Sequence, residues 1–500
     1  MNLSSLLQVN SRKYKNKEAL VFGEKRLTFK QWNEEVNKLG HSLLSLGINK
    51  GDRVVLYMPN TIEFVIAYFA TIRIGAIIVP INAKLTKMEV TYIVNHCDAK
   101  ALIVYELLHP QIDKWEDEQV ICIKTGHQNE GWYSFEQLVS NGSSEEIIND
   151  CSQENEVSIL YTSGTTGSPK GVLFTHKNIL TVATMICIEM NVNLNSRLLH
   201  MMPLSHSAPL HLIFMSGLIT GSTHVLLPTF IPEKFLTTVQ DEKITHFFGA
   251  PVVYTLTAKT LPINKYDLSS IQRWIYGGSP FSSNEYKFIE EAFQSSNFTC
   301  VYGLTEAGPS GTLLVGEDHY QKAGSIGNRG ALYCEIKVVD EHGNDVGNGE
   351  VGEIVLKGEG TMKCYYRDDE RTKETFIGEW LKTGDLAMVD QDGYYWIVDR
   401  KKDVIISGGV NIYPKEVEDL LQTIPMVREV AVVGTHHDIW GETVKAFLVV
   451  DDETANYEEL CKRFLDGKLA SYKIPRLYEI VNELPRNATG KILKTLLKTK

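Results

Sequence analysis

The sequence predicts an α/β protein with a large N-terminal domain of mixed β-sheets and helices, a small β-rich unit, and a small α+β C-terminal domain. Three observations predict this. The chain has 500 residues, which is longer than a single hydrophobic core usually supports. Short apolar runs alternate with helical segments over its first part. After about Gly330 the pattern changes to hairpins, and a compact mixture of helices and strands follows.

The apolar runs of the first part predict strands. DRVVLYMPN (52–60) is β-branched and ends in a turn, and AIIVPINA (76–83) follows an apolar helix. ALIVY (101–105) and VICI (120–123) repeat the theme, and three later runs each end in Gly or Pro: HVLLP, THFFGAP and RWIYGG. This alternation is typical of parallel sheets with crossover helices.

The domain boundaries follow from changes in pattern. CEIKVV and EVGEIVLKG are strands joined by Asp/Gly/Asn turns, which predicts antiparallel hairpins. The polar DRKKD (399–403) then separates them from helices and strands that form a small domain. We predict an N-terminal domain over 1–399, with a β-rich subdomain from about 330 to 399, a hinge at 400–402, and a C-terminal domain over 403–500.

Composition excludes several classes of function. A net charge of −12 disfavours sequence-independent binding to nucleic acid phosphates, which requires a basic surface. The first residues lack the features of a signal peptide, so we expect a cytoplasmic protein. The eight cysteines are scattered without a CxxC pair, so we expect no structural metal. The most apolar stretch, 64–81, is interrupted by Arg73, Gly75 and Pro80, so we expect no transmembrane segment.

The strongest chemical signal is YTSGTTGSPKG (161–171), which directly follows an apolar run. Its glycines allow a tight turn with inward N–H groups, and Lys170 adds a cation, which together suit a polyphosphate. It is not the GxxxxGK[ST] loop, because the spacing differs and no Ser or Thr follows the lysine. A flexible linker is the alternative, but linkers seldom follow a core strand so abruptly. The predicted phosphate-contacting residues are Thr162, Ser163, Gly164, Thr165, Thr166, Gly167 and Lys170.

Six further motifs follow in order: PLSH (203–206), YGGSP (276–280), YGLTE (302–306), TGD (383–385), DRKKDVIISGG (399–409) and PRNATGK (485–491). With the first, they make the chain resemble the adenylate-forming superfamily of acyl-CoA synthetases, aryl-CoA ligases, adenylation domains and beetle luciferases. The likeness spans almost the whole chain. It implies stacked sheets and a barrel-like β unit in the large domain, and a mobile small domain.

The resemblance implies roles for the ATP-binding residues. Tyr302 would stack on adenine, Thr305 would touch the α-phosphate, and Glu306 with Thr166 would hold Mg²⁺. Asp385 and Arg400 would contact the ribose. Alone, Glu306 is equally a solvated turn residue and Asp385 a turn aspartate. Further nucleotide contacts are expected from Gly277, Gly278, Ser279 and Gly303.

The small domain carries three other implied roles. Lys402 stands where the family places its hinge residue. Gly408 and Gly409 would admit the pantetheine arm of CoA close to the backbone, although a plain hairpin explains them equally well. Lys491 would be the catalytic cation of adenylation, alongside Thr305 and Glu306.

The acyl pocket is expected around His206, although a lone histidine is more often a core residue. An amino acid substrate would need an aspartate near His206 to pair with its ammonium group, and the sequence has none there. A dicarboxylate substrate would need a buried Arg or Lys for its second carboxylate, and the expected pocket residues include none. An apolar monocarboxylate remains, and small residues favour a medium- to long-chain fatty acid over an aryl acid. The predicted acyl contacts are His206, Phe247, Gly249, Ala250 and Leu304.

The implied reaction is that of an acid–thiol ligase. The carboxylate attacks MgATP to give acyl-AMP and pyrophosphate, and the thiol of CoA then displaces AMP. ATP, Mg²⁺, CoA and a carboxylic acid are the expected ligands, and a homodimer is left open. An aryl-acid CoA ligase and a stand-alone adenylation enzyme that loads a carrier protein are the alternatives; a luciferase or a non-catalytic nucleotide-binding protein is disfavoured.

Overall fold

A computed structural model describes residues 1–112, 115, 119–127, 130–148, 150–162, 169–451, 455–486 and 492–498. The chain divides into two compact units. The first comprises Met1–Ile336 and Leu356–Leu381, and the second comprises Lys337–Val355 and Lys382–Lys500.

The α-helices of the described residues are, in chain order, α1 Leu3–Lys13, α2 Phe29–Ser45, α3 Ile62–Arg73, α4 Lys87–His96, α5 Phe135–Asn141, α6 His176–Glu189, α7 Met215–Thr220, α8 Pro232–Asp241, α9 Pro251–Thr260, α10 Ser283–Phe293, α11 His319–Lys322, α12 Asp369–Glu374, α13 Pro414–Leu421, α14 Tyr457–Leu465 and α15 Lys494–Lys498. A π-helix spans Ala208–Phe214.

The β-strands are β1 Glu18–Phe22, β2 Lys25–Thr28, β3 Arg53–Tyr57, β4 Ile77–Ile81, β5 Ala99–Val104, β6 Ile121–Lys124, β7 Tyr133–Ser134, β8 Glu156–Thr162, β9 Lys170–Thr175, β10 Arg197–His200, β11 Thr223–Leu226, β12 His246–Gly249, β13 Arg273–Gly277, β14 Phe298–Tyr302, β15 Thr312–Val315, β16 Cys334–Val339, β17 Gly352–Gly358, β18 Cys364–Tyr365, β19 Phe376–Ile377, β20 Trp380–Val389, β21 Tyr395–Arg400, β22 Ile405–Ser407, β23 Val410–Ile412, β24 Val427–His437, β25 Gly441–Val450 and β26 Leu477–Ile480.

The first unit contains two eight-stranded sheets. One has the order β15-β14-β13-β12-β10-β11-β1-β2 and the other β18-β9-β8-β4-β3-β5-β6-β7. The central strands are parallel, as the alternating pattern predicts, whereas β14–β15, β1–β2 and β8–β9 pair antiparallel. The sheets are therefore mixed, and the predicted fold class is confirmed.

Helix α3 shows why the two sheets form one unit. It contacts β3 and β4 of one sheet and β1 of the other. Nearly every residue of this helix is buried, as expected for a helix that is apolar on all sides. Arg73 is the charged exception, and Ser4, Asn33 and Asn37 accept hydrogen bonds from its guanidinium. The most apolar stretch of the sequence is therefore a core element.

The second unit contains β21, which pairs with β20, and a five-stranded sheet in the order β23-β22-β25-β24 with β26 beside β25. Helices α13 and α14 pack on one face of that sheet. Helix α14 ends at Leu465, because Asp466 leaves the helical conformation and Gly467 takes a left-handed φ of +73°. The predicted hinge lies in the turn between β21 and β22, and its role stays a prediction.

Among the described residues, no helix combines the length and the apolar character required to cross a bilayer.

Candidate active site

The glycine-rich stretch lies between two paired strands. β8 ends at Thr162 and β9 begins at Lys170, and these two residues are opposite each other in the antiparallel pair. Burial lowers the pKa of the Lys170 ammonium, and nearby Arg371 lowers it further. Five predicted phosphate contacts lie outside the described residues and stay predictions: Ser163, Gly164, Thr165, Thr166 and Gly167.

Aromatic side chains anchor both ends of this connection. The Tyr161 hydroxyl lies 2.7 Å from His96 Nδ1, and Tyr92 donates a 3.3 Å hydrogen bond to the carbonyl of Pro169. A Cβ at Gly171 would lie 3.3 Å from the Tyr161 ring, so the glycine lets the ring pack tightly. These tyrosines belong to the hydrophobic core of the second sheet. The residues that flank the loop are therefore held by the core, and sequence reasoning identified neither Tyr92 nor His96.

The YGLTE motif forms a tight turn after β14. β14 ends at Tyr302, and a 3₁₀ turn spans Thr305–Ala307. A side chain at Gly303 would collide with the carbonyl of Pro309, which explains the glycine. The Thr305 Oγ1 lies 3.0 Å from the Ser207 Oγ, which joins this turn to the PLSH segment. Four side chains of the motif are half-buried, namely Tyr302, Leu304, Thr305 and Glu306.

The Glu306 carboxylate is held by a residue that sequence reasoning missed. The Tyr365 hydroxyl donates a 2.7 Å hydrogen bond to Glu306 Oε1, and the backbone N–H of Met362 donates to the Glu306 carbonyl at 2.8 Å. Lys170 Nζ lies 5.3 Å from the centroid of the same Tyr365 ring. The structure therefore brings Lys170 and Glu306 to one tyrosine.

Glu306 also suits a magnesium ion. A half-buried carboxylate supplies the hard oxygen donors that Mg²⁺ prefers. Among the described residues, no cation lies within ion-pair distance of Glu306, so its charge is available to a metal. Thr166, the other predicted ligand, lies outside the described residues.

The YGGSP motif lies at the same edge of the first sheet. β12, β13 and β14 are parallel neighbours, so their carboxyl ends meet where ligands of open α/β sheets commonly bind. Gly277 is opposite Val301, and a Cβ on it would lie 2.7 Å from the Val301 carbonyl oxygen. Gly278 has φ +89°, and both Gly278 and Ser279 are exposed. The motif thus leaves an open backbone turn beside YGLTE.

His206 is a neutral histidine with a defined tautomer. Asn82 Oδ1 accepts the backbone N–H of Lys84 at 2.9 Å, so the amide nitrogen of Asn82 faces His206 Nε2 at 3.0 Å. His206 Nε2 must accept this hydrogen bond, which places the imidazole proton on Nδ1. Burial lowers the pKa of His206 to about 4. The ring is therefore uncharged at neutral pH.

Phe247 and Phe248 point to opposite faces of β12. Phe247 is fully buried among aromatic rings, including Phe235, Tyr254 and Trp274. Phe248 belongs instead to an aliphatic cluster with residues of α6 and the π-helix. Its ring comes within 3.3 Å of a Cβ built on Gly277. The structure therefore brings Phe248, and not Phe247, toward the predicted nucleotide residues.

The expectation that Gly249 and Ala250 leave space for an acyl tail stays a prediction. A Cβ at Gly249 would lie 2.8 Å from the Phe247 ring and 3.3 Å from the Tyr254 ring. The glycine therefore accommodates core packing on the Phe247 face. Ala250 is half-buried and precedes α9.

In the second unit, Asp385 and Arg400 are cross-strand partners on β20 and β21. Arg400 Nε lies 2.5 Å from Asp385 Oδ1, and Asp385 is buried. The adjacent Lys401 binds Glu353 at 2.8 Å, and Glu353 also accepts the N–H of Gly384. The two residues before Lys402 are therefore both ion-paired, whereas Lys402 itself is exposed.

Gly408 and Gly409 form the turn between β22 and β23. Both have left-handed backbone angles, φ +59° and φ +82°, which glycine adopts readily. The N–H of Gly408 donates to the Trp440 carbonyl at 2.9 Å. The hairpin explanation of this pair is thus correct, and a role in binding CoA stays a prediction. Lys491 lies outside the described residues.

Comparisons with known proteins agree with this arrangement. The family model of the AMP-binding enzymes matches residues 7–366, and that of the AMP-binding enzyme C-terminal domain matches residues 416–491. The chain is 34% identical over 475 residues to the long-chain-fatty-acid–CoA ligase FadD13 of Mycobacterium tuberculosis. This match covers 95% of the chain and 93% of the relative.

Solved structures extend the likeness to the fold. The anthranilate CoA ligase AuaEII, solved with anthranoyl-AMP, has a TM-score of 0.90 at 30% identity and covers 100% of this chain and 97% of its own. The o-succinylbenzoate CoA synthetase MenE from Bacillus subtilis, solved with ATP and a magnesium ion, has a TM-score of 0.86 at 27% identity, with 99% of both chains covered. The chain belongs to the AMP-binding enzyme family and is an acyl-CoA synthetase of the adenylate-forming type.

Proposed function

We propose that the protein is an ATP-dependent acid–thiol ligase that activates a medium- to long-chain fatty acid as acyl-AMP and transfers the acyl group to CoA. The observation that carries the choice of acid is the neutral, apolar face on which Phe248 lies. Phe248, Ile275 and Val301 form that face together with aliphatic residues of α6 and the π-helix. We also propose that the reaction takes place in the cytoplasm.

Charge excludes two classes of acid. An amino acid needs a carboxylate for its ammonium group, and a dicarboxylate needs a cation for its second carboxylate, because a buried unpaired charge is very unfavourable. Four stretches are expected to form the acyl pocket, namely residues 203–214, 247–254, 276–281 and 301–308. They contain no Arg or Lys, and their one acidic residue is Glu306. Tyr365 already binds that carboxylate. His206 is neutral as well. A monocarboxylate with an apolar remainder is the acid that fits.

Among apolar acids, we place the fatty acyl tail on the Phe248 face. The opposite face of β12 is filled by packed rings around Phe247 and Trp274, which leaves no space for a chain there. The name of the relative FadD13 supports a long-chain fatty acid, whereas the name of AuaEII supports an aryl acid. The long aliphatic cluster on the Phe248 side favours the former.

In the first half-reaction, the residues of the chain bind and orient ATP. Thr162 and Lys170 flank the loop proposed to hold the phosphates, Tyr302 offers its ring to adenine, and Thr305 offers a hydroxyl to the α-phosphate. Magnesium at Glu306 would neutralise phosphate charge. Lys491 would supply the cation that stabilises the charge developing between carboxylate and α-phosphate.

In the second half-reaction, the thiol of CoA replaces AMP after the small domain has turned. Arg400 and Lys401 are fixed by ion pairs with Asp385 and Glu353, so a rotation between the two half-reactions would begin at Lys402. We propose that Lys402 is this pivot and that the turn at Gly408 and Gly409 then admits the pantetheine arm.

An acid panel tests the function directly. Pyrophosphate release would be measured with octanoate, palmitate, benzoate, cinnamate, malonate and phenylalanine, and thioester formation with CoA and with a carrier-protein pantetheine. We expect the highest kcat/KM with a fatty acid and with CoA. A maximum with any other acid, or with the carrier protein, would contradict the proposal.

A matched pair of variants tests the assigned face. Phe248→Ala should shift the preference among fatty acids toward longer or bulkier ones, because it widens the proposed tail site. Phe247→Ala should leave the preference unchanged and lower the free energy of unfolding by about 3–5 kcal/mol, as expected for a core aromatic residue. The reverse outcome would move the tail to the Phe247 face.

A further inference from the structure

Tyr365 occupies a rigid position that no motif of the sequence pointed to. It is the second residue of the short strand β18, where it is opposite Val172 of β9. Its backbone N–H donates to the Thr372 hydroxyl at 2.9 Å, and the side chain is 4% exposed. The strand pairing and the burial together fix the direction of the ring.

The segment that carries Tyr365 is fastened directly to the Glu306 turn. Met362 hydrogen-bonds the carbonyl of Glu306, and Tyr365 hydrogen-bonds its carboxylate. A Cβ at Gly308 would collide with the carbonyl of Gly360, so the two segments approach each other closely because both positions are glycine. Glu306 therefore accepts hydrogen bonds from this segment through both its main chain and its side chain.

The same residue contacts two opposite charges. Lys170 Nζ lies over the Tyr365 ring at 5.3 Å from its centroid, and the Tyr365 hydroxyl binds Glu306 at 2.7 Å. Among the described residues, Lys170 and Glu306 form no ion pair with each other or with any other side chain. The ring face stabilises the ammonium group, and the hydroxyl stabilises the carboxylate. Each charge is satisfied without neutralising the other.

We propose that Tyr365 is a positioning residue for adenylation: its hydroxyl orients Glu306 toward the metal–nucleotide complex, and its ring keeps Glu306 and Lys170 from closing into an ion pair. This inference rests on the proposed role of Glu306 in holding magnesium. The phenol donates one hydrogen bond to Oε1, which leaves the remaining lone pairs of the carboxylate for a metal. Burial and the charge of Glu306 both raise the pKa of Tyr365, so the phenol remains a donor at neutral pH.

The test is the Tyr365→Phe variant, which keeps the ring over Lys170 and removes the hydroxyl. The affinity for Mn²⁺ in the presence of a non-hydrolysable ATP analogue would be measured from the electron paramagnetic resonance signal of free Mn²⁺. We expect about tenfold weaker Mn²⁺ binding, which corresponds to about 1.4 kcal/mol. The Mg²⁺ concentration that half-saturates pyrophosphate release should rise in proportion, while thioester formation from supplied acyl-AMP should not change.

Tyr366→Phe is the matched control, because it removes a hydroxyl from the next residue of the chain. The Tyr366 ring lies edge-on to His96, and the Arg367 guanidinium lies over it. Tyr366→Phe should therefore leave Mn²⁺ affinity unchanged. Both variants should melt close to the parent protein. Unaltered Mn²⁺ affinity in Tyr365→Phe, or an equal loss in Tyr366→Phe, would overturn the inference.

Glu306→Gln separates this inference from the proposed function. If Glu306→Gln weakens Mn²⁺ binding and Tyr365→Phe does not, the positioning role fails and the role of Glu306 stands. If neither variant weakens Mn²⁺ binding, the proposed metal role of Glu306 fails, and the inference fails with it.

Discussion

The predicted ligand-contacting residues of the two compact units differ in how their charges are paired. In the first unit, Lys170 and Glu306 are joined through the Tyr365 ring and hydroxyl and form no ion pair among the described residues. In the second unit, carboxylates bind cations directly: Asp385 binds Arg400 at 2.5 Å and Glu353 binds Lys401 at 2.8 Å.

This difference separates a carboxylate without a cation partner from carboxylates that are already paired with a cation. A carboxylate that must receive a metal loses that capacity when a neighbouring cation neutralises it. A carboxylate that fixes a strand or a turn gains from the pairing. We therefore expect changes near Glu306 to alter ligand binding, and most changes around Arg400 to alter geometry. The predictions below test that division, beginning with the residue expected to break it.

The largest effect is expected from Lys491→Ala, because this lysine of the second unit is assigned to chemistry. Its cation would stabilise charge in the adenylation transition state, so its loss should slow pyrophosphate release by about 10²- to 10³-fold. Thioester formation from supplied acyl-AMP should be spared. Lys498→Ala, a lysine near the end of the same segment, is the control. Equal loss in both half-reactions would make Lys491 a structural residue.

Lys402→Pro should produce the next largest effect, and with the opposite selectivity. Proline fixes φ near −65°, so a pivot would stop while the ion pairs before it remain. We expect thioester formation to fall by on the order of 10²-fold, with pyrophosphate release much less affected. Stopped-flow measurement of the two half-reactions separates them. A similar loss in both would mean that Lys402 is only a link.

Acid stability should distinguish the units by a smaller amount. Burial lowers the pKa of His176 in the first unit to about 4, below its usual value of about 6.5. The unfolded chain therefore binds more protons between pH 6.5 and 4, and stability falls as the pH drops through that window. At pH 5, this histidine should lower the free energy of unfolding by about 2 kcal/mol relative to neutral pH.

His176→Gln provides the measurement. Urea unfolding at pH 7 and pH 5 should show a pH-dependent loss of stability that is smaller by about 2 kcal/mol in the variant. The same measurement on His436→Gln, at an exposed position of the second unit, is the control. An equal effect of both variants would remove this difference between the units.

The smallest effect is expected from Asp385→Asn. The asparagine keeps the shape of the side chain but weakens the bond to Arg400 and the expected hydrogen bonds to the ribose, so the KM for ATP should rise by about tenfold. The Mg²⁺ requirement should stay the same, because Asp385 is assigned no metal. A shift in Mg²⁺ dependence like that expected for Glu306→Gln would erase the distinction between the two carboxylates.

Sequence patterns predicted the elements well where one periodicity dominates. The runs at 53–57, 77–81 and 99–104 are strands because they are apolar and β-branched, and α3 is a helix because its apolar run is too long for a strand. The turns around Gly278 and Gly408 were predicted for a similar reason, since glycine marks them. The fold class followed from the order of these elements.

The residues that support the site could not be predicted in this way. Tyr365 contacts Glu306 across 59 residues of sequence, and His96 contacts Tyr161 across 65, so no local pattern connects them. The two faces of β12 also give no signal, because Phe247 and Phe248 are adjacent and identical in type. Only the pairing of β12 with its neighbours decides which ring enters the core.

Asp399 shows what a turn about Lys402 would cost. Its Oδ2 accepts the backbone N–H of Lys415 at 2.7 Å, near the start of α13. This hydrogen bond joins residues on either side of the proposed pivot, so a rotation there must break it. Both groups would then bind water, and the net loss is about 1.5–3 kcal/mol for a bond to a charged group. Ligand binding energy can offset a cost of a few kcal/mol, so in the proposed rotation the hydrogen bond between Asp399 and Lys415 would favour the unrotated conformation until a ligand compensates for its loss.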